Sequence, residues 1–141
     1  MTIADIVAFL GGPFGRPIAS DMDLATEVTR GLPRAALHRV VQQLRSDALT
    51  TRAIYALVGA RAASRRSTGR LSSEVSARLA RLARMAVRAG EALGSPDKAC
   101  RWLAKPSRAL DGQRPLDLLA SDAGTRAVED ALGRMEHGVT A

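Results

Sequence analysis

The sequence contains very little cysteine, histidine or aromatic residue. Its one cysteine, Cys100, excludes an internal disulfide and a cysteine metal cluster, and it favours a reducing compartment. The two histidines, His38 and His137, cannot complete an arrangement of nucleophile, base and orienting acid, and there is no glycine-rich phosphate loop. We therefore expect a protein that is not an enzyme and that has no catalytic residues, no metal site and no cofactor.

Long apolar runs are also missing. No run approaches the roughly 20 residues that a membrane helix requires. The first ten residues place Asp5 inside their apolar stretch with no basic region before it, which is unlike a signal peptide. We expect a cytoplasmic protein with no membrane contact. Because 46% of the residues are hydrophobic but only 3% are aromatic, the core must consist mostly of Leu, Val and Ala, which suits helices.

Positive charge is concentrated in the middle of the chain. The formal net charge is +7, and residues 31–91 hold twelve Arg against three acidic residues. Nineteen of the 21 basic residues are Arg, which favours bidentate contacts with phosphate or carboxylate groups. The same richness in Arg can reflect a GC-rich genome. The charge alone therefore leaves nucleic-acid binding and a solvated surface both open.

Residues 1–30 predict two short helices joined by an irregular linker. Thr2 can cap an apolar repeat that stops at the Gly-Gly-Pro run of residues 11–13. Ser20 can cap a second segment that ends at Gly31. We treat this stretch as an N-terminal arm, which either packs on the core of the rest of the chain or becomes ordered on a partner.

Residues 31–93 predict a helix-turn-helix core followed by a long helix. Pro33 as the first helical residue leads into an apolar repeat, Thr50 or Thr51 caps a second helix, and residues 61–70 are a small third segment rich in Arg and Ser. In this plan the third element enters the major groove. The candidate DNA-binding residues are Arg52, Arg61, Ser64, Arg65, Arg66 and Arg70.

The long helix carries apolar residues on one face and a row of Arg on the other. We interpret Arg84 and Arg88 as a solubilising face. For Arg78 and Arg81, phosphate contact and pairing with an acidic protein surface both stay open.

Residues 94–141 predict three more helices. Ser95 caps a short helix that begins at Pro96 and contains the only Trp. Pro115 begins a brief helix with three Leu that need a packing partner, and Ser121 caps a last helix that ends at Gly138.

The spacing in this region resembles that of a known family. From Ala99 to Val139 the chain follows the pattern A..WL..P...L.G..P.DLL....G...VE..L.R..HGV, which is similar to the C-terminal toxin-binding domain of the Xre/MbcA/ParS antitoxins. The Gly31-Leu32-Pro33 run is similar to the Xre-like half of the family. The stretch between Val58 and Leu71 is shorter than in family members.

The resemblance implies an all-α antitoxin of a type II toxin-antitoxin system. Residues 1–30 would be the arm, 31–93 the Xre-like helix-turn-helix core with its connecting helix, and 94–141 an appended helical toxin-binding module. The implied partners are a cognate toxin, of the NAD-consuming RES type, and the double-stranded promoter DNA of its own operon, which it represses. Paired promoter half-sites favour a homodimer.

The resemblance also implies the residues that contact the toxin. They are Trp102, Leu103, Pro115, Leu118, Leu119, Gly124, Met135, His137, Gly138, Val139, Thr140 and Ala141. We expect the tail that follows Gly138 to cover the toxin active site and obstruct substrate entry, with a frayed terminus as the alternative.

Two other functions stay open at this point. The chain could be a stand-alone helix-turn-helix transcription regulator whose C-terminal half dimerises. It could also be a general helical adaptor whose basic middle serves solubility, which predicts no salt-sensitive DNA binding.

Overall fold

The computed structural model describes residues 1–60 and 69–138. Within these ranges the fold is all-α, as predicted, and there is no strand; the extended contacts are isolated bridges from Pro33 to Arg70 and from Ser107 to Gln113. The helices are α1 (Ile3–Phe9), α2 (Asp21–Arg30), α3 (Arg34–Leu44), α4 (Thr51–Val58), α5 (Ser73–Leu93), α6 (Pro96–Ala104), α7 (Pro115–Leu118) and α8 (Asp122–Glu136), with a 3-10 turn at Arg108–Leu110.

Hydroxyl side chains set most of the helix starts. Each accepts a hydrogen bond from the backbone N–H three residues later, which satisfies a donor that has no partner inside the helix. The capping residues are Thr2, Ser20, Thr50, Ser95 and Ser121. Helix α3 differs from the prediction, because Pro33 is its capping residue rather than its first helical residue.

The chain divides into two compact units, Met1–Ala83 and Arg84–Ala141, and the division falls inside α5. The core of the first unit uses all of its helices. Ile6 and Leu24, from α1 and α2, are 1% and 5% exposed, so residues 1–30 pack as part of this core. The amide Nε2 of Gln43 in α3 also donates a hydrogen bond to the Phe9 carbonyl oxygen at 2.6 Å, which holds the end of α1.

The second unit is built from the end of α5 together with α6, α7 and α8. Its fully buried side chains include Ala89, Leu103, Val128, Ala131 and Leu132. The spacing of the last three follows the 3.6-residue period of α8, which is why that helix buries one face. The only Trp of the sequence, Trp102, is half-buried in this unit.

Candidate functional site

The second unit forms a helical module whose turns are set by special backbone conformations. After α6, Ser107 pairs with Gln113 through a backbone hydrogen bond of 3.0 Å. The tight turn between them places Asp111 at a φ of 55° and Gly112 at a φ of 79°, a region that Asp and Gly enter at low cost. This loop delivers the chain to Pro115, the first residue of α7.

A bidentate ion pair supports the start of α7. Nε of Arg114 donates to Oδ2 of Asp117 at 2.9 Å, and Nη2 donates to Oδ1 at 2.7 Å. The side-chain hydrogen bonds from Arg114 lower the pKa of Asp117, and the same bonds raise the pKa of Arg114. Since the Arg114 and Asp117 side chains are 33% and 49% exposed, solvent screens the pair, which contributes little to stability and mainly orients the helix start.

The corner between α7 and α8 leaves no space for a side chain at Gly124. A Cβ atom there would overlap the Leu118 carbonyl oxygen and lie 3.0 Å from the Ser121 Oγ atom. That Oγ atom accepts the Gly124 N–H at 3.0 Å and so caps α8. Gly124 therefore lets two helices meet backbone to backbone.

The residues predicted to bind a toxin fall into three groups. Leu103, Pro115, Leu119 and Gly124 are buried inside the module and build it. Trp102, Leu118 and Met135 are half-buried, and His137 and Gly138 are exposed, so a partner could reach these five. Val139, Thr140 and Ala141 lie outside the described residues.

A charged groove that was not predicted from the sequence lies beside α8. It is an open depression with a volume of about 480 Å³, lined by Arg88, Glu129, Asp130, Gly133, Arg134 and His137. The Arg88 side chain is 31% exposed, and its Nη2 atom lies 4.0 Å from Oε1 of Glu136. Its Nε atom is buried and has no hydrogen-bond partner among the described residues.

In the first unit, the predicted DNA-binding residues are only partly described. Arg52 is exposed in the first turn of α4. Arg70 has a structural use, because its Nη1 atom donates to the Gly31 carbonyl oxygen at 2.6 Å and lies 3.9 Å from Oε2 of Glu27. Arg61, Ser64, Arg65 and Arg66 lie outside the described residues.

Glu27 is a buried carboxylate that the sequence analysis did not identify. Its side chain is 2% exposed, and Oε1 accepts a hydrogen bond from Arg30 at 3.1 Å. A buried carboxylate is stable only when it is paired and hydrogen-bonded. The signal in the sequence is its place three residues after the buried Leu24, on the apolar face of α2, with a basic residue three positions further on.

Backbone hydrogen bonds join residues 69–71 to the start of α3. Leu71 N–H donates to the Leu32 carbonyl oxygen at 2.8 Å, and Leu32 N–H donates to the buried Oγ of Ser76 at 2.8 Å. Gly31, at a φ of 94°, has no room for a Cβ atom beside the Leu71 carbonyl oxygen. These contacts hold residues 69–71 against the residues that precede α3.

The two units differ in charge. Residues 1–83 contain twelve basic and six acidic residues, whereas residues 84–141 contain nine and eight. Nearly all of the net positive charge is therefore carried by the first unit, where a phosphate backbone would find the stronger attraction.

The single thiol of the chain is partly buried. Burial raises the pKa of the Cys100 thiol, and the nearby Asp97 carboxylate adds to the effect, so thiolate formation is disfavoured there.

Within residues 1–60 and 69–138, none of the helices has the length and apolar character needed to cross a membrane.

Comparison with protein families finds a match in the second unit. Residues 88–138 match the profile of the antitoxin Xre/MbcA/ParS C-terminal toxin-binding domain. This match begins within α5 and covers α6, α7 and α8, the module described above.

Three curated relatives carry the name Antitoxin Xre. The protein from Yersinia enterocolitica is 36% identical over 85 residues, which are 58% of this chain and 57% of the relative. The one from Photorhabdus laumondii is 33% identical over 72 residues, or 50% and 49% of the two chains. The one from Pseudomonas putida is 28% identical over 121 residues, or 86% and 76%. The chain thus spans about half the length of the first two relatives.

Proposed function

We propose that the chain is the antitoxin of a toxin-antitoxin system, because residues 88–138 match the model of the antitoxin Xre/MbcA/ParS C-terminal toxin-binding domain. It binds a cognate toxin through its second unit and suppresses the toxin's activity without catalysing a reaction itself. The observation that carries the proposal is the match of this unit, a folded module with its own core, to a family defined by toxin binding.

The chemistry of the module suits a protein partner. Trp102, Leu118 and Met135 are large apolar side chains that stay half-exposed on a well-packed frame. Aromatic and Met side chains are enriched at protein interfaces, and Trp in particular often contributes a large share of the binding free energy. Leu103 and Leu119 are buried, so they support toxin binding only indirectly, by packing beneath the half-exposed side chains.

The toxin is of the NAD-consuming RES type in this proposal, and the chain covers its active site. The residues that follow Gly138, namely Val139, Thr140 and Ala141, reach the entrance of that site. Truncation after His137, which removes Gly138 together with these three residues, should leave toxin binding largely intact and restore toxin activity. If inhibition survives the removal, the covering role belongs to another part of the module.

The first unit binds the promoter DNA of the same operon and represses it as a homodimer. Its twelve basic residues support this role, and exposed Arg52 is a candidate for phosphate contact. Phosphate contacts impose a steep dependence of affinity on salt. Arg52→Gln should reduce the salt slope of operator binding by about 1, whereas Arg16→Gln, an exposed cation in the linker before α2, should leave it unchanged.

The proposal is tested by co-expression of the tagged chain with the protein encoded by the adjacent reading frame. We expect the two to co-purify as a complex that survives size-exclusion chromatography. Gly124→Ala provides a variant with a damaged module and an intact first unit. If neither the chain nor the variant binds the neighbour, while both shift promoter DNA, the chain is a transcription regulator and not an antitoxin.

A further inference from the structure

Three cations lie close together along the exposed side of α6. Lys98 and Arg101 are one helical turn apart, and Lys105 follows at the residue that caps the helix end. All three side chains are exposed. We call these three residues the basic stripe.

The cations of the basic stripe have no acidic partner within the described residues. None of their side chains forms an ion pair or hydrogen bond there. Two other cations of the same unit have acidic neighbours: Arg114 is held by Asp117, and Arg88 lies near Glu136. The basic stripe therefore keeps its full charge for an external partner.

The charge of the second unit is segregated along the sequence. Residues 94–110 contain four basic residues and one acidic residue, Asp97, whereas the rest of residues 84–141 contains five basic and seven acidic residues. Both lysines of the whole chain belong to the basic stripe. A unit that is nearly neutral in total thus carries an excess of positive charge in α6 and the loop that follows it.

The helix that carries the basic stripe is packed on its opposite side, and an aromatic side chain flanks the stripe. Ala99 and Leu103, on the opposite side of α6, are 2% and 0% exposed, and the Ser95 Oγ atom caps the helix by accepting the Lys98 N–H at 3.1 Å. Half-buried Trp102 follows Arg101 directly, on the border between the buried and exposed sides. Trp and Arg are among the residue types that most often dominate binding, and the rim of an interface is polar and solvent-accessible.

We propose that the basic stripe and Trp102 dock an acidic surface of the toxin. This inference rests on the proposed antitoxin function and specifies the chemistry of the toxin surface that meets α6. A protein partner is favoured over nucleic acid because the stripe borders a half-buried Trp and lies in the unit with the lower net charge. The carboxylates of the toxin steer its approach to the stripe, and Trp102 supplies the apolar contact once it arrives.

The test compares two variants of the full chain with equal net charge. The stripe variant is K98Q/R101Q/K105Q, and the control variant is R16Q/R45Q/R126Q, which removes three exposed cations outside α6. Binding to the protein of the adjacent reading frame is followed by surface plasmon resonance at low, physiological and high salt. We expect the stripe variant to associate about tenfold more slowly at low salt, and the difference to shrink as salt rises.

Each outcome bears on a separate claim. If the unmodified chain does not bind the neighbour, the proposed function fails. If the unmodified chain binds and the stripe variant behaves like the control, the inference is wrong and the proposed function stands. If the stripe variant instead loses affinity for random DNA duplex while binding the neighbour normally, the stripe serves nucleic acid and the inference is overturned. A circular dichroism spectrum matching that of the unmodified chain shows that all variants are folded.

Discussion

Replacement of Gly124 by Ala tests how the module is held together. The added Cβ atom would overlap the Leu118 carbonyl oxygen and approach its carbonyl carbon to 2.9 Å. A backbone carbonyl cannot rotate away as a flexible side chain can, so α7 and α8 must separate. Overpacking of this kind costs about 1–3 kcal/mol. The higher helix propensity of Ala offsets at most about 1 kcal/mol of that cost.

Gly133 provides a matched control in the same helix. Its nearest neighbour for an added Cβ atom is Nη2 of Arg88 at 3.8 Å, which is ordinary van der Waals contact. Gly133→Ala should therefore stabilise the module by about 0.5–1 kcal/mol, since Ala loses less backbone entropy in a helix interior. The same chemical change is thus expected to have opposite signs at two positions of α8.

Urea unfolding followed by Trp fluorescence measures both effects in the right unit, because Trp102 is the only Trp and lies in α6. With a slope of about 1–3 kcal/mol per molar urea, Gly124→Ala should lower the midpoint by about 0.5–2 M, and Gly133→Ala should raise it slightly. Equal midpoints for the two variants would refute the close approach of α7 and α8.

The remaining predictions concern one buried hydroxyl, one ion pair and one thiol. Ser76→Ala should destabilise the first unit by about 1–3 kcal/mol in urea unfolding, because it leaves the buried Leu32 N–H without an acceptor; an unchanged midpoint would contradict this. The lowered pKa of Asp117 means that its small stabilising contribution is present above the carboxyl's ordinary pKa and is lost as pH falls through the lowered value. Arg114→Gln should raise the Asp117 titration midpoint in NMR, and no change would show that the ion pair is absent in solution. Because its pKa is raised by burial, Cys100 should react with iodoacetamide at pH 8 several times more slowly in the folded chain than in urea.

Local signals in the sequence are sufficient for most of the helix boundaries. The caps at Ser95 and Ser121, the Pro115 start and the turn at Asp111 follow from backbone chemistry that acts within four residues. The apolar period of α8 likewise predicts its buried face. For this reason the all-α class and the elements of the C-terminal module were predictable from residues alone.

Long-range pairings were not predictable in the same way. Glu27 and Arg70 are 43 positions apart, and Leu32 and Ser76 are 44 apart, so no periodic pattern links them. Arg70 was therefore interpreted as a DNA contact, although its Nη1 atom bonds to Gly31. For the same reason, the sequence does not predict which side chains of an apolar motif are buried.

The candidate toxin contacts show that limitation directly. Leu103 and Leu119 belong to the same motif as Trp102 and Leu118, yet the first two are buried and the last two are half-exposed. A sequence motif contains residues that pack inside the module as well as residues that contact a partner, and the motif alone does not distinguish the two groups. Only the packed structure makes that separation.

Growth rescue tests the central claim most directly. The adjacent reading frame is expressed from one inducible promoter and this chain from another, with Gly124→Ala and Gly133→Ala as the paired variants. The account predicts that the neighbour arrests growth alone, that the unmodified chain and Gly133→Ala restore it, and that Gly124→Ala restores it poorly. A neighbour that is harmless alone, or whose toxicity this chain does not relieve, would contradict the antitoxin function.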